Sequence, residues 1–177
     1  MVAMLNAGVQ SDVAFQALDA IADTKDFTDY ISSEIFVANT SWGHNIALFR
    51  KRSPSARWRW LLHDYDRGFN LDNVNGTAMD WATATDGPEY SNAPWATLFL
   101  RKMLENNAFK ERFITRFADH LYITYNPLTI KRRVDFHANW IRPEMPRQVA
   151  RWLGTTSSYG DAIPSVSFWE NEVANLK

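Results

Sequence analysis

The chain has 177 residues, a formal net charge of −1 and a pI of about 6.4, a balance that gives no reason to expect nucleic acid or an anionic membrane as a partner. With 46% apolar residues and eight tryptophans it is too hydrophobic for a disordered segment. It has no cysteine, which excludes disulfides and thiolate metal sites, and no apolar run near the roughly 18 residues that span a bilayer.

Two amphipathic helices are predicted before the first polar loop. Residues 11–23 place apolar side chains at helical spacing, and Ser11 or Asp12 can cap the start. A second helix is predicted over residues 26–38, with one broad apolar face. Together they predict a helical hairpin that delivers the chain to a polar loop over residues 39–45.

A β-hairpin is predicted next. Its first strand is IALFRK, its turn contains Ser-Pro-Ser, and its second strand, RWRWLLH, alternates arginine with tryptophan. Leu61 and Leu62 break this alternation, which predicts that both faces are covered at that end. The tryptophans are expected to lie in the core.

Residues 70–92 show no sustained period and contain many turn-forming residues. A loop of that length inside a compact domain is usually functional or mobile. It begins shortly after the acidic triplet Asp64-Tyr65-Asp66. A segment that covers a substrate is expected at that position.

From residue 94 onward the chain is predicted to be helical. The predicted segments are 94–105, 108–124, a long helix from Pro127 interrupted at Pro143 and Pro146, and a tail helix after a Gly/Ser/Thr-rich loop at 154–163. The predicted fold class is therefore α+β, mostly helical with a central antiparallel β-hairpin.

The residues that could act together chemically gather at one end of this hairpin. Antiparallel strands enter and leave side by side, so Asn45 and Asp64 are expected to be neighbours. An amide beside a carboxylate makes an oxygen-rich site of the kind that Mg²⁺ and phosphate chemistry use. The alternatives are an Asx-turn role for Asn45 and, for Asp64 and Asp66, solvated carboxylates or an ion pair with Arg67.

The same residues suggest a family. The stretch FVANTSWGHNIALFR followed by RWRWLLHDYDRGFN resembles the CotH family, spore-coat-type kinases with an atypical protein-kinase-like fold. That family shows Asn-x-Asp, then an asparagine before a strand, then Trp-x-x-x-Asp-x-Asp-x-x-Phe, which is met here by Trp60, Asp64, Asp66 and Phe69. The stretches LFLRKMLENNAFKERFITRFADHL and IRPEMPRQVARW are similar to its helical part, so the resemblance spans nearly the whole chain.

The resemblance implies phosphorylation of protein serine with ATP and Mg²⁺, often on secreted, cell-surface or spore-coat proteins. By resemblance Asp64 matches the metal-binding acid, Asp66 the second acid of the pair, and Asn45 the loop asparagine. The positive field of Arg67 is expected to help hold the nucleotide phosphates.

The family pattern has an aspartate, the candidate catalytic acid or base, at the position where this chain has Ser41. The chain therefore departs from the pattern there. A kinase that loses the carboxylate orienting its substrate hydroxyl should lose much of its rate. The alternative hypothesis is therefore a pseudokinase that binds nucleotide or a partner without transferring phosphate. A third hypothesis, a structural module of a surface or coat protein, gains weight if several tryptophans are exposed in one patch.

The chain is expected to form a single domain over residues 1–177, corresponding to the C-lobe of a larger CotH-like kinase domain. Nothing upstream of the polar loop resembles the nucleotide-holding N-lobe with its lysine. The first residues, MVAMLNAGVQSD, lack the basic region and long apolar stretch of a signal peptide.

Overall fold

The structure is a computed structural model, and it describes residues 1–39, 41–69, 77–85, 94–158 and 160–177. The chain forms two compact units, Met1–Leu121 and Tyr122–Lys177. That the chain acts as the single C-lobe of a larger kinase domain stays a prediction.

The first unit is mostly helical and contains a two-stranded antiparallel sheet. Its helices and strands are α1 (Val2–Ala7), α2 (Asp12–Asp19), α3 (Thr24–Phe36), β1 (Ala47–Phe49), β2 (Arg59–Leu61), α4 (Ala78–Thr83), α5 (Pro94–Met103) and α6 (Asn107–Asp119), and a π-helical turn follows at His120–Thr124. The predicted α+β class with a central hairpin is confirmed.

Capping side chains fix where several of these helices begin. The side chains of Ser11, Asp23 and Asn106 each accept a hydrogen bond from the backbone N–H three positions later, at 3.2, 3.3 and 3.0 Å. Each bond satisfies a backbone donor that the first turn of a helix leaves without an intrahelical partner. Because Asp23 caps α3, that helix begins two residues earlier than the sequence pattern predicts.

Part of the segment predicted to be structureless is helical. Helix α4 lies within it, with Trp81 and Ala82 buried in the core of the first unit. A helix of six residues is too short to be stable alone, so tertiary packing stabilises it. The remainder of the predicted loop, residues 70–76 and 86–92, lies outside the described residues.

An aromatic cluster at the centre of the first unit fastens α3 to the hairpin. The ring of Phe27 lies 4.8 Å from that of Trp60 and 4.5 Å from that of Phe99, measured between centroids. Tilted aromatic pairs at this distance add stability beyond the area they bury. The base of the hairpin is therefore held on a rigid helix.

The hairpin has one covered face. Leu48 pairs with Trp60 in its register, and Trp60 points into the core. Leu61 and Leu62 are half exposed, so the prediction that both faces are covered at that end is wrong. An antiparallel sheet can pack one face and leave the other in solvent, and α3 covers only the Trp60 side.

The prediction that tryptophans lie in the core is correct for some and wrong for others. Trp42, Trp60 and Trp81 are buried, whereas Trp140 and Trp152 are 75% and 50% exposed. Trp140 and Trp152 belong to the second unit, and Trp95 of the first unit is also exposed.

Asp26 ties α3 to β2 through its carboxylate. It accepts the backbone N–H of Trp60 at 2.7 Å and the guanidinium of Arg59 at 2.6 and 2.9 Å. We expect Asp26→Ala to lower the free energy of unfolding by about 2 kcal/mol, since the partly buried Trp60 N–H loses its acceptor. Urea denaturation followed by circular dichroism measures this.

Arg59→Ala is the matched comparison, because it removes only the exposed partner of the same carboxylate. An exposed ion pair contributes about 1 kcal/mol or less, so this variant should be the more stable of the two. Equal losses in the two variants would contradict an anchoring role for the Trp60 N–H.

The second unit is helical. It contains α7 (Pro127–Ile141), a 3₁₀ turn (Arg142–Glu144), α8 (Met145–Trp152) and α9 (Val166–Asn175). The predicted interruption at the two prolines is confirmed. Arg142 fastens α9 through a two-pronged ion pair with Glu170, at 2.5 and 3.0 Å.

None of the helices described in either unit is long and apolar enough to cross a membrane.

Candidate functional site at the base of the hairpin

Two polar loops meet at one end of the hairpin. The incoming loop, residues 37–45, leads into β1, and the outgoing loop, residues 62–69, follows β2. The Asn45 amide donates a hydrogen bond to the Asp64 carboxylate. The predicted proximity of these two residues is confirmed, and it follows from the register that pairs Ala47 with Leu61.

Backbone strain is concentrated in these loops. In the described part of the chain, the non-glycine residues with a positive φ are Ala38 (50°), Asp64 (60°) and Phe69 (55°). A left-handed conformation costs such a residue roughly 1–3 kcal/mol and persists only where surrounding contacts impose it. Strain of this kind is typical of functional sites, and here it sets the position from which the Asp64 side chain projects.

Several contacts hold the outgoing loop against the incoming one. The Phe69 N–H donates to the Val37 carbonyl at 2.5 Å, and the Phe69 ring meets that of Phe36 edge-on at 5.8 Å. A Cβ at Gly68 would lie 3.1 Å from the Tyr65 carbonyl oxygen and 3.2 Å from Val37, so a larger residue would require these neighbours to shift by a few tenths of an ångström. These contacts join the described residues of the two loops into one corner.

Asn39 is the buried centre of this corner. It is fully inaccessible, and its amide nitrogen donates to Glu34 at 2.9 Å and to the Asp64 carbonyl at 3.4 Å. Its amide oxygen accepts from the backbone N–H and the hydroxyl of Ser41, both at 3.1 Å. Asn39 thereby links α3, the incoming loop and the outgoing loop.

Ser41 lies between the two asparagines. Its hydroxyl donates to Asn39 and accepts a long hydrogen bond of 3.5 Å from the Asn45 amide. The hydrogen-bonded chain thus runs from Glu34 through Asn39, Ser41 and Asn45 to the exposed Asp64 carboxylate.

Glu34 is a functional candidate that the sequence reading did not single out. Its side chain is 2% exposed, and burial raises its pKa from 4.5 to about 7, although hydrogen bonds from Asn39, Tyr30 and Tyr65 partly offset this. The sequence pattern does indicate a buried acid, because Glu34 falls on the apolar face of α3, four residues after Tyr30. A carboxylate on a buried face is rare unless it has partners.

Asp66 and Arg67 are exposed on the outgoing loop. Asp66 makes no hydrogen bond or ion pair with the residues that the structure describes, so it is not bonded to the Asn45–Asp64 pair. Hydrogen bonds join Asn45 to Asp64 and to Ser41. The other two predicted site residues, Asp66 and Arg67, are exposed to solvent. His44, at the end of the incoming loop, is also exposed.

The oxygen atoms of Asn45 and Asp64 fit a magnesium ion that takes most of its ligands from water and substrate. Mg²⁺ is commonly bound through one or two protein oxygens and completes its shell with water and substrate phosphates. The Asp64 carboxylate and the Asn45 amide oxygen can supply two such ligands. Within the described residues no group of three or more histidine, cysteine or acidic side chains could hold a metal by itself.

Comparison with known proteins identifies a family. A model of the family described as CotH kinase protein matches residues 1–177, the whole chain. This match confirms the resemblance drawn from the residues around the hairpin. No curated protein and no solved structure matches the chain, so the likeness to a kinase C-lobe stays a prediction.

Proposed function

Because the chain belongs to the CotH kinase protein family, we propose that it forms the metal-binding part of an ATP- and Mg²⁺-dependent kinase that phosphorylates serine in a protein substrate. The observation that carries this proposal is the Asn45–Asp64 pair, held at the strained corner where the two loops meet. Kinase catalysis consists largely of positioning and electrostatic stabilisation, which such a corner supplies.

Each residue has a defined task in this proposal. Asp64 and Asn45 hold Mg²⁺, which when bound neutralises and orients the nucleotide phosphates. Asn39 fixes the Asp64 backbone and the Ser41 side chain. Asp66 is the second acid near the metal, and Arg67 adds positive charge for the phosphates.

Calorimetric titration with ATP, with and without Mg²⁺, tests this proposal on the chain and on a version extended upstream. We expect binding that requires Mg²⁺, stronger in the extended version. If neither version binds Mg²⁺-ATP, the kinase proposal fails and the family relationship reflects ancestry alone.

Ser41 favours a second candidate, a pseudokinase that binds nucleotide without transferring phosphate. Its hydroxyl stands where the family has an aspartate, and in the structure it is engaged by both Asn39 and Asn45. A serine hydroxyl is too weak a base to accept the proton of a substrate alcohol. The site thus retains its metal-binding residues while it lacks the expected base.

Ser41→Asp separates the two candidates. We expect this variant of the extended protein to phosphorylate a serine-containing protein roughly 100-fold faster than the wild type, because a positioned base contributes about that factor or more. Ser41→Asn is the control of matched size, and it should give no gain. Equal rates in the two variants, measured by transfer of labelled phosphate, would count against a catalytic base at this position.

The location that accompanies this function is the cell surface, the extracellular space or the spore coat, with a secreted or surface protein as substrate. The family relationship supports this proposal. The structural-module hypothesis also remains a proposal, and it requires that exposed tryptophans such as Trp140 and Trp152 lie in one patch.

A further inference from the structure

The second unit contains a surface depression that plays no part in the proposed phosphate chemistry. It lies between the end of α8 and the loop that follows, and its volume is about 410 Å³. Its walls include Gln148, Trp152, Thr155, Asp161 and Ile163. The volume falls in the range of small-molecule sites, and the lining combines one large aromatic ring with several hydrogen-bonding groups.

Hydrogen bonds join described residues of the loop that forms one wall. Ser157 and Asp161 exchange a 2.8 Å backbone hydrogen bond and two 3.1 Å bonds that involve the serine hydroxyl. Gly154 and Gly160 adopt positive φ values of 78° and 88°, which few other residues tolerate. The Asp161 carboxylate has about four acceptor positions and Ser157 uses one of them, so acceptor capacity remains for a ligand.

Trp152 supplies the aromatic wall. Half of its side chain is exposed, although its ring is large and apolar. The guanidinium of Arg151 lies 5.2 Å from the ring centroid, over one face. An aromatic ring has two faces, so this contact leaves ring surface for the depression.

The charges around the depression restrict what it can bind. Arg151 lies beside the aromatic wall and disfavours a cation, whereas Asp161 disfavours an anion. Among the other described polar groups, the Gln148 amide both donates and accepts hydrogen bonds, and the Thr155 hydroxyl donates to the Trp152 carbonyl at 2.6 Å and can accept. A neutral ligand with one apolar face and many hydroxyls fits this combination, and a pyranose sugar has that structure.

We propose that this depression binds a neutral saccharide, with Trp152 packed against the apolar face of the sugar ring and with Asp161 and Gln148 accepting hydrogen bonds from its hydroxyl groups. The inference does not depend on kinase activity, because its residues belong to the second unit, whereas Asn45 and Asp64 belong to the first. In a domain with the proposed kinase function, this depression would provide a contact with glycosylated surfaces.

Titration of the 177-residue chain with the methyl glycosides of glucose, galactose, mannose and N-acetylglucosamine, followed by NMR of the tryptophan indole N–H signals, tests this proposal. We expect at least one glycoside to shift the Trp152 signal in a saturable way. Trp152→Ala should abolish binding, and Trp140→Ala, which removes an exposed tryptophan of the same unit outside the depression, should retain it.

Asp161→Asn provides a second variant, which keeps the size of the side chain and weakens its accepting power. We expect it to bind the same glycoside several-fold more weakly while its indole spectrum stays that of a folded protein. Three results would overturn the inference: no shift with any of the four glycosides, unchanged binding by Trp152→Ala, or equally strong binding of choline or acetate.

Discussion

Replacement of Asp64 by asparagine is expected to abolish Mg²⁺-dependent ATP binding while the melting temperature stays nearly unchanged. The carboxylate is exposed and makes its side-chain contact with Asn45, whose amide can donate equally well to an asparagine oxygen. Asparagine also tolerates the left-handed backbone at this position (φ 60°). The substitution therefore removes the charge and leaves the corner intact.

We expect the affinity for Mg²⁺-ATP to fall roughly 100-fold or more. The variant would lose the charged side chain that is proposed to hold Mg²⁺, and a bound metal ion contributes several kcal/mol to the stabilisation of phosphate charge. Calorimetry with Mg²⁺-ATP measures it, and differential scanning calorimetry measures stability. Asp119→Asn, an exposed aspartate on α6 outside the site, is the control and should bind as the wild type does. A large fall in melting temperature in Asp64→Asn would assign Asp64 to the scaffold.

Asp66→Asn in the same series tests the second acid. Because Asp66 is separate from the Asn45–Asp64 pair, we expect a smaller loss of affinity than in Asp64→Asn. Equal losses would show that both acids contact the metal when nucleotide is bound.

Glu34→Gln is expected to remove a pH dependence of stability that the wild type shows between pH 4.5 and 7. In that window the folded protein keeps the proton of Glu34, whose pKa burial raises to about 7, while the unfolded chain has lost it near 4.5. The folded state then binds more protons than the unfolded state, so the free energy of unfolding falls as pH rises. The total loss is about 3 kcal/mol.

The glutamine variant cannot ionise and still accepts the Asn39 hydrogen bond through its amide oxygen. It should therefore match the wild type at pH 4.5 and exceed its stability by about 3 kcal/mol above pH 7. Urea denaturation at each pH measures this, and the difference between the two proteins isolates Glu34 from the four histidines.

Glu111→Gln is the matched control, because Glu111 is an exposed glutamate of the same unit. Its stability should follow that of the wild type at every pH. Parallel curves for Glu34→Gln and the wild type would contradict a buried, protonated Glu34.

Sequence patterns were sufficient for the local features of this protein. The cap at Ser11, the hairpin and the proline interruptions depend on residues close together in the chain, and the structure confirms them. The proximity of Asn45 and Asp64 also belongs here, because antiparallel pairing determines it. The family could be predicted because its pattern falls in that same stretch.

Tertiary structure alone decided which surfaces are covered. Helix α4 is stabilised because Trp81 packs in the core, whereas Trp152 is half exposed among the described residues of its unit. It also decided that Asn39 and Glu34 form the buried support of the site, a contact between a helix face and a loop. Periodicity shows which side chains share a face, but burial and pKa depend on what packs against that face, and those partners come from distant parts of the chain.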